Sequence, residues 1–248
     1  LGGLASLISK IPAKNRLADF PHYLMHRAEQ LDNLYIFKNT EGTPENIRKF
    51  HPNIIVSSTG SAPLLPPIAG LKDRIDNEKH NIYSILGMIS HINDFPKDLE
   101  GKKVVVVGGG AVGLDVVEFF ADRNADISIV EMMDQIGRDL DPVSKNDTKT
   151  MMKKHNVHQL TKTALLEVKD SSFLVRGDGE PYELPFEYGF VCLGMRAQGQ
   201  LYQNLTEEFS SEDVEIMNIG DSQRARRIID GTQEGRNILT ILEQKGYL

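Results

Sequence analysis

The residues with the clearest chemical potential in this sequence are a run of glycines and one acid, separated by a helical stretch. The glycines belong to the run Gly108-Gly109-Gly110-Ala111-Val112-Gly113, which directly follows four valines at 104–107. The acid, Glu131, ends a second apolar stretch at 127–130. In such a run the first glycine permits a tight turn, the second lets a phosphate approach the backbone, and the third lets the helix pack closely.

The order of these segments predicts a site for an adenine dinucleotide. A helix that begins at Ala111 and Val112 would present unpaired N–H groups and the positive end of its dipole to a pyrophosphate. Glu131 lies about 20 residues beyond Gly113, where a carboxylate can accept both ribose hydroxyls. The alternative is a glycine turn that only packs a helix on a sheet. The register of strand, helix, second strand and acid favours dinucleotide binding.

Composition limits the classes of protein to consider. The 248 residues suffice for two domains. The 35 acidic residues outnumber the 28 basic ones, which argues against non-specific nucleic-acid binding. The single cysteine, Cys192, excludes an intramolecular disulfide and a cysteine-ligated cluster within the chain. The sequence has no membrane-length apolar run and no secretory leader, so we expect a cytoplasmic protein.

The remaining segments predict an α/β fold in which strands alternate with helices. The predicted helices cover residues 14–31, 44–50, 82–92, 143–155 and 225–244. The predicted strands cover residues 34–37, 53–56, 190–194 and 214–219, and a hairpin joins 163–169 to 172–176. Thr43 is the expected N-cap of the second helix, with Pro44 at its first position.

Several short motifs follow one another along the chain. They are Thr59-Gly60, the glycine run, Leu193-Gly194 and Gly220-Asp221, with Leu1-Gly2-Gly3-Leu4, Pro66-Pro67-Ile68-Ala69-Gly70, Val130-Glu131-Met132 and Ile228-Ile229-Asp230-Gly231. The order of the first four resembles that of flavoprotein reductases with two dinucleotide-binding domains. The other motifs are similar to the C-terminal half of bacterial NADH:flavin oxidoreductases, the old-yellow-enzyme-related group that includes 2-enoate reductase and 2,4-dienoyl-CoA reductase.

The resemblance implies a doubly wound, Rossmann-like NAD(P)H domain at 101–195, with a small β-hairpin or meander. This domain would be inserted between two segments of a partial FAD-binding domain, at 1–100 and 196–248. In the family, a TIM barrel with FMN and a 4Fe-4S cluster precedes these domains. The glycine fingerprint for the ADP half of FAD is expected upstream of Leu1. We therefore expect the chain to be a fragment that holds FAD only partly.

The resemblance also implies roles for individual residues. Thr59 and Gly60 would pass close to FAD, and Gly220-Asp221 would present the acid that bonds its ribityl chain. Gly194 belongs to the same set of cofactor-binding residues, and Asp115 matches an acid near the nicotinamide. Three structural alternatives stay open. Thr59-Gly60 could be a simple strand-end turn, Asp221 could cap the next helix, and Asp115 could complement the helix dipole.

The implied reaction is hydride transfer from NADH to FAD, with electrons passing to an enoate or enoyl-CoA-like substrate in the missing barrel domain. We assign no catalytic acid or base, because the cofactors carry such chemistry. Two rivals remain: a redox-inert nucleotide-binding module, and an ADP-binding electron-transfer region similar to that of trimethylamine dehydrogenase. We expect no metal site at His22 and His26, and expect Arg224, Arg226 and Arg227 to be solvated or ion-paired. Self-association through exposed sheet edges is a further expectation.

Overall fold

The computed structural model describes residues 1–247. Its helices are α1 Gly3–Ile8, α2 Asp19–Ala28, α3 Pro44–Arg48, α4 Leu71–Arg74, α5 Ile85–Ser90, α6 Ala111–Ala121, α7 Pro142–Lys154, α8 Gln200–Glu208 and α9 Ile228–Gln244, with 3₁₀ turns at Pro12–Ala18 and Gly220–Ser222. Its strands are β1 Ile54–Ser57, β2 Ser61–Pro63, β3 Ile82–Tyr83, β4 Lys103–Val107, β5 Asp126–Val130, β6 His158–Leu160, β7 Ala164–Val168, β8 Ser172–Arg176, β9 Tyr182–Pro185, β10 Tyr188–Val191, β11 Met195–Ala197 and β12 Glu215–Asn218.

The chain divides into two compact units. The larger unit contains residues 7–16 and 63–194, and the smaller unit contains residues 1–6, 17–62 and 195–248. The larger unit begins before the predicted boundary at residue 101, because β3 pairs with β10 in its central sheet. The assignment of NAD(P)H and FAD to these units stays a prediction.

A five-stranded parallel sheet in the order β3-β10-β4-β5-β6 forms the centre of the larger unit. The valine run of β4 is buried throughout, as expected for a parallel strand covered on both faces. Alternate valines serve different faces. Val105 and Val107 pack with Phe173 of β8, whereas Val106 faces α6 at Gly113. The fold is therefore the mixed α/β type that the sequence predicts.

The two faces of this sheet are covered differently. Helix α6 packs on one face, with Phe120 in an aromatic cluster that includes Phe95 and Phe190. An antiparallel sheet in the order β7-β8-β9 covers the other face, where Phe173 and Phe186 lie with ring centroids 4.4 Å apart. The predicted hairpin is confirmed as β7-β8, and β9 extends it to a meander.

The smaller unit is built around the parallel pair β1-β12. Its core consists of Ile55, Leu205 and Phe209, with partly buried residues of α3 and α8 around them. Thr43 caps α3 as predicted, because its hydroxyl accepts the Asn46 N–H at 3.2 Å. Within residues 1–247, no helix is long and apolar enough to cross a membrane.

Several predicted elements differ from the structure. In the predicted helix at 82–92, residues 82–83 form the strand β3 and only residues 85–90 form the helix α5. Residues 34–37 are not a strand, because no sheet of the described chain includes them and their backbone has no strand to pair with. Tyr35 and Phe37 are instead 78% and 60% exposed. The predicted helix at 14–31 is divided into the 3₁₀ turn Pro12–Ala18 and α2. Helix α8 and strand β9 were missed.

Candidate functional site

Two glycines of the glycine run are required by packing. Gly108 has φ +109°, and a Cβ there would lie 2.1 Å from the Cys192 carbonyl oxygen. A Cβ on Gly113 would lie 1.9 Å from the Gly108 carbonyl oxygen. Since neither neighbour is a flexible side chain, only glycine lets β4, α6 and the 192–194 segment approach this closely. The packing alternative therefore explains these two positions.

Gly110 is different, because packing does not require a glycine there. No described heavy atom lies within 4 Å of the Cβ position on Gly110, and its φ of −80° suits any residue. Gly110 is the N-cap of α6, and no side chain caps that helix end. The first N–H groups of an 11-residue helix are thus uncapped beside open space. This is the arrangement in which a helix N-terminus binds an anion.

Glu131 lies directly beside the glycine turn at the carboxyl end of β5. One carboxylate oxygen accepts the Gly109 N–H at 2.6 Å, and the other accepts the Met133 N–H at 2.7 Å. The Gly137 N–H in turn donates to the Gly109 carbonyl at 2.7 Å. The carboxylate is fixed by backbone donors, yet each oxygen retains a lone pair for a hydroxyl. Sequence spacing predicted the position of Glu131 but not these contacts.

Asp115 lies in a cleft of about 380 Å³ between α6 and α7. The Lys14 ammonium contacts its carboxylate at 3.0 Å and that of Glu118 at 3.2 Å. Burial raises the pKa of Asp115, and the attraction of Lys14 opposes that rise. Lys14 was missed by sequence reasoning, because its distance along the chain hides a contact made only in the fold. Asp115 lies beyond the first turn of α6 and is ion-paired with Lys14, and its role near a nicotinamide stays a prediction.

The predicted flavin residues of the smaller unit come together at the ends of β1 and β12. The Thr59 hydroxyl donates to the Gln198 carbonyl at 2.6 Å, and the Gly60 carbonyl accepts the Gln198 N–H at 2.9 Å. Asp221 accepts the Ser61 hydroxyl at 3.0 Å and the Arg226 N–H at 3.1 Å. Two distant turns are thus joined around one carboxylate.

The segment that follows β10 runs beside the glycine turn. The Cys192 N–H donates to the Val107 carbonyl at 2.7 Å, and the Gly194 carbonyl accepts the Leu64 N–H at 2.9 Å. Gly194 has φ +101° and adjoins open space. Burial raises the pKa of the Cys192 thiol to about 12, so the thiol stays protonated and unreactive near neutral pH.

The remaining candidates are structural. Arg226 pairs with Glu234 and Arg227 with Asp230, as expected for ion-paired rather than phosphate-binding arginines. His26 has a contact with Gln30. Across the described part of the chain, no cluster of three or more His, Cys, Asp or Glu residues could hold a metal ion.

Comparison with known proteins identifies the wider relationship. A family model described as "Pyridine nucleotide-disulphide oxidoreductase" matches residues 26–217. A metal reductase of Desulforamulus reducens is 25% identical, with 95% of this chain and 38% of the relative covered. An NADH oxidase of Thermoanaerobacter brockii is 24% identical, with 95% and 35% covered.

A solved structure has a similar fold. The complex of 2-naphthoyl-CoA reductase with 2-naphthoyl-CoA superposes with a TM-score of 0.77 at 22% identity, and covers 94% of this chain and 33% of its own. The chain thus spans between about a third and two fifths of the length of these relatives.

Replacing Lys14 by methionine is expected to raise the pKa of Asp115 further, because burial would then act without the opposing cation. Carboxyl titration followed by ¹³C NMR measures this shift, and Lys10→Met, an exposed lysine of the same segment, is the control. Equal Asp115 titration in Lys14→Met and the parent would contradict the prediction.

The same shift has a consequence for stability. The pKa of Asp115 is higher in the folded chain than in the unfolded chain. Ionised Asp115 therefore lowers the free energy of unfolding in full at pH values above its folded pKa, and this loss of stability is relieved as the pH falls through that pKa. Asp115→Asn should remove this component from the pH dependence of urea unfolding.

Proposed function

Since the chain belongs to the pyridine nucleotide-disulphide oxidoreductase family, we propose that it is the nucleotide-binding part of a flavin-dependent oxidoreductase that uses NADH. The observation that carries this proposal is the uncapped start of α6 at Gly110, beside open space and next to the fixed carboxylate of Glu131. A packing turn needs glycine at 108 and 113, but it does not need one at 110.

In the proposed complex, the NADH pyrophosphate lies against Gly110, Ala111 and Val112 at the start of α6. The adenosine ribose donates its hydroxyls to Glu131, whose oxygens are already oriented by the N–H groups of Gly109 and Met133. The nicotinamide end of NADH lies on the side of Asp115 and Gly194. The N–H groups at the start of α6 would orient the diphosphate.

The smaller unit is proposed to hold the flavin end of FAD. Asp221 uses one lone pair on each oxygen for Ser61 and Arg226, and the others remain for the ribityl hydroxyls. Ser61 directly follows Thr59-Gly60, so its hydrogen bond to Asp221 links that turn to the Gly220-Asp221 turn. When bound, FAD would accept hydride from NADH and pass electrons onward.

The acceptor of those electrons is proposed to lie outside this chain. The sequence has one cysteine, and its buried thiol has a raised pKa, so the chain supplies no dithiol of its own. The relatives are a metal reductase and an NADH oxidase, whose acceptors differ. An enoate or enoyl-CoA-like substrate, reached through FMN and a 4Fe-4S cluster in a preceding barrel, is supported by the motif resemblance.

Two other functions remain alternatives: a redox-inert nucleotide-binding module, and an ADP-binding electron-transfer region like that of trimethylamine dehydrogenase. An absorbance spectrum before and after anaerobic NADH addition separates the three. With FAD added in excess to the purified chain, FAD bleached by NADH supports the reductase, a chain that binds NADH but takes up no FAD leaves the inert module, and bound FAD unaffected by NADH supports the electron-transfer region.

Replacing Gly110 by aspartate is expected to abolish NADH binding and leave the fold intact. The new side chain meets no described atom, but it puts a carboxylate where the pyrophosphate would lie. Calorimetric NADH titration with circular dichroism tests this. Gly179→Asp is the control, because Gly179 is an equally open glycine on an exposed turn. If Gly110→Asp binds NADH like the parent, the glycine run serves packing only.

The chain is expected to prefer NADH to NADPH by roughly tenfold to a hundredfold. A 2′-phosphate would bring negative charge to Glu131, and like charges in a partly desolvated site cost on the order of 1–3 kcal/mol. The two backbone N–H groups hold the carboxylate in place, so it does not simply turn away. Dissociation constants at low salt measure the preference, and equal values would refute it.

The chain alone is expected to bind FAD weakly and to purify almost colourless. Asp221 and its neighbours could hold only the flavin end. The given sequence has one glycine run of this kind. The contacts that a second run would make with the FAD pyrophosphate are charge-assisted hydrogen bonds of roughly 1.5–3 kcal/mol each, so lacking two lowers affinity at least about a hundredfold. The edges of the β1-β12 pair should also favour self-association. Light scattering and the flavin content of the purified chain test this, and one tightly bound FAD per chain would overturn it.

A further inference from the structure

The turn that carries Asp221 is held by a residue of α9 that the sequence did not indicate. Glu234, in the second turn of that helix, accepts the Gly220 N–H at 2.6 Å through one carboxylate oxygen. Its other oxygen accepts a hydrogen bond from the Arg226 guanidinium at 2.5 Å. Gly231 faces the turn, since a Cβ there would lie in ordinary van der Waals contact, 3.5 Å from the Gly220 Cα. One side chain thus ties together the helix, the turn and the segment between them.

Arg226 connects Glu234 to Asp221. Its guanidinium donates to Glu234, while its backbone N–H donates to one oxygen of Asp221. The side chains of Arg226 and Glu234 are only 28% and 27% exposed, so solvent screens their pair incompletely. Movement of Glu234 would therefore disturb Asp221 from two sides, through Gly220 before it and Arg226 after it.

The position requires a carboxylate. Both partners of Glu234 are donors, and a carboxylate accepts at each oxygen, whereas a glutamine would turn its NH₂ group toward one of them. The Gly220 N–H and Arg226 both lower the pKa of Glu234. The stabilisation from these hydrogen bonds is consequently complete at pH values above the ordinary pKa of glutamate. It is lost as the pH falls through the lowered pKa of Glu234 in the folded chain.

We infer that Glu234 is a positioning residue that holds Asp221 ready to accept the hydroxyl groups of a polyol chain. The inference rests on the proposed function, in which that chain is the ribityl group of FAD. It adds a residue that need not touch the flavin, and it predicts which ligand groups this turn selects.

The hydrogen bonds around the turn favour hydroxyl groups over phosphate. The Gly220 N–H donates to the Glu234 carboxylate. At the start of α9, the Arg227 N–H donates to the Asp230 side chain at 3.1 Å. Two backbone N–H groups of this region are thereby used within the protein. Asp221 and Glu234 add negative charge on the same side.

Amide hydrogen exchange tests whether Glu234 holds the turn. Exchange at Gly220 should accelerate at least about tenfold in Glu234→Ala, the loss expected for one charge-assisted hydrogen bond, and less in Glu234→Gln. Glu243→Gln, an exposed glutamate of the same helix, is the matched control. Amides of the paired strands β1 and β12 report destabilisation of the smaller unit as a whole. Unchanged Gly220 exchange in Glu234→Ala would overturn the inference.

FAD titration tests the role in ligand binding, with excess ADP present to fill the dinucleotide site of the larger unit. We expect weak but titratable binding by the parent, at least about tenfold weaker in Glu234→Ala and in Asp221→Asn, and unchanged in Glu243→Gln. Equal FAD affinity in Glu234→Ala and the parent would overturn the positioning role. A parent chain that takes up no FAD would instead refute the proposed flavin contact and the ligand part of this inference, while the exchange result still reports on the turn.

Discussion

The larger unit depends on one close approach, in which the backbone of the glycine turn lies between two other backbone segments. The Gly108 carbonyl lies where a side chain on Gly113 would be, and the Cys192 carbonyl lies where a side chain on Gly108 would be. This contact fixes how α6 begins relative to β4 and β10. It therefore also fixes where the uncapped N–H groups of α6 point and how near Glu131 lies to them.

The contact separates two uses of glycine that a sequence pattern combines. Gly108 and Gly113 are small because protein fills the space around them, whereas Gly110 adjoins space that no described atom fills. At Gly108 and Gly113 the lack of a side chain avoids a clash, whereas at Gly110 it leaves the backbone surface open. The sequence pattern alone is ambiguous, because both uses require glycine. The atoms around each glycine distinguish the two uses.

The regular elements of the larger unit were predictable because their signals are local. A run of valines, a turn, an apolar helix and a hairpin each show in a short window of sequence. The residues that complete the sites were not predictable in this way. Lys14 reaches Asp115, and Glu234 reaches Gly220, through contacts that exist only after folding. Residues 34–37 show the opposite error: their apolar and aromatic side chains suit a strand, but strand propensity reflects a neighbouring surface that the described chain does not provide.

The two backbone hydrogen bonds to Glu131 have a consequence for how cofactor preference could change during evolution or engineering. An acid that only faced solvent could be exchanged for a basic residue at little structural cost. Here the same carboxylate also satisfies the N–H groups of Gly109 and Met133, so a basic replacement would leave both donors without their acceptor. A shift toward a phosphorylated ribose would accordingly need compensating changes in the loop that follows β5. Structure and selectivity are coupled at this position, and a single substitution would alter both.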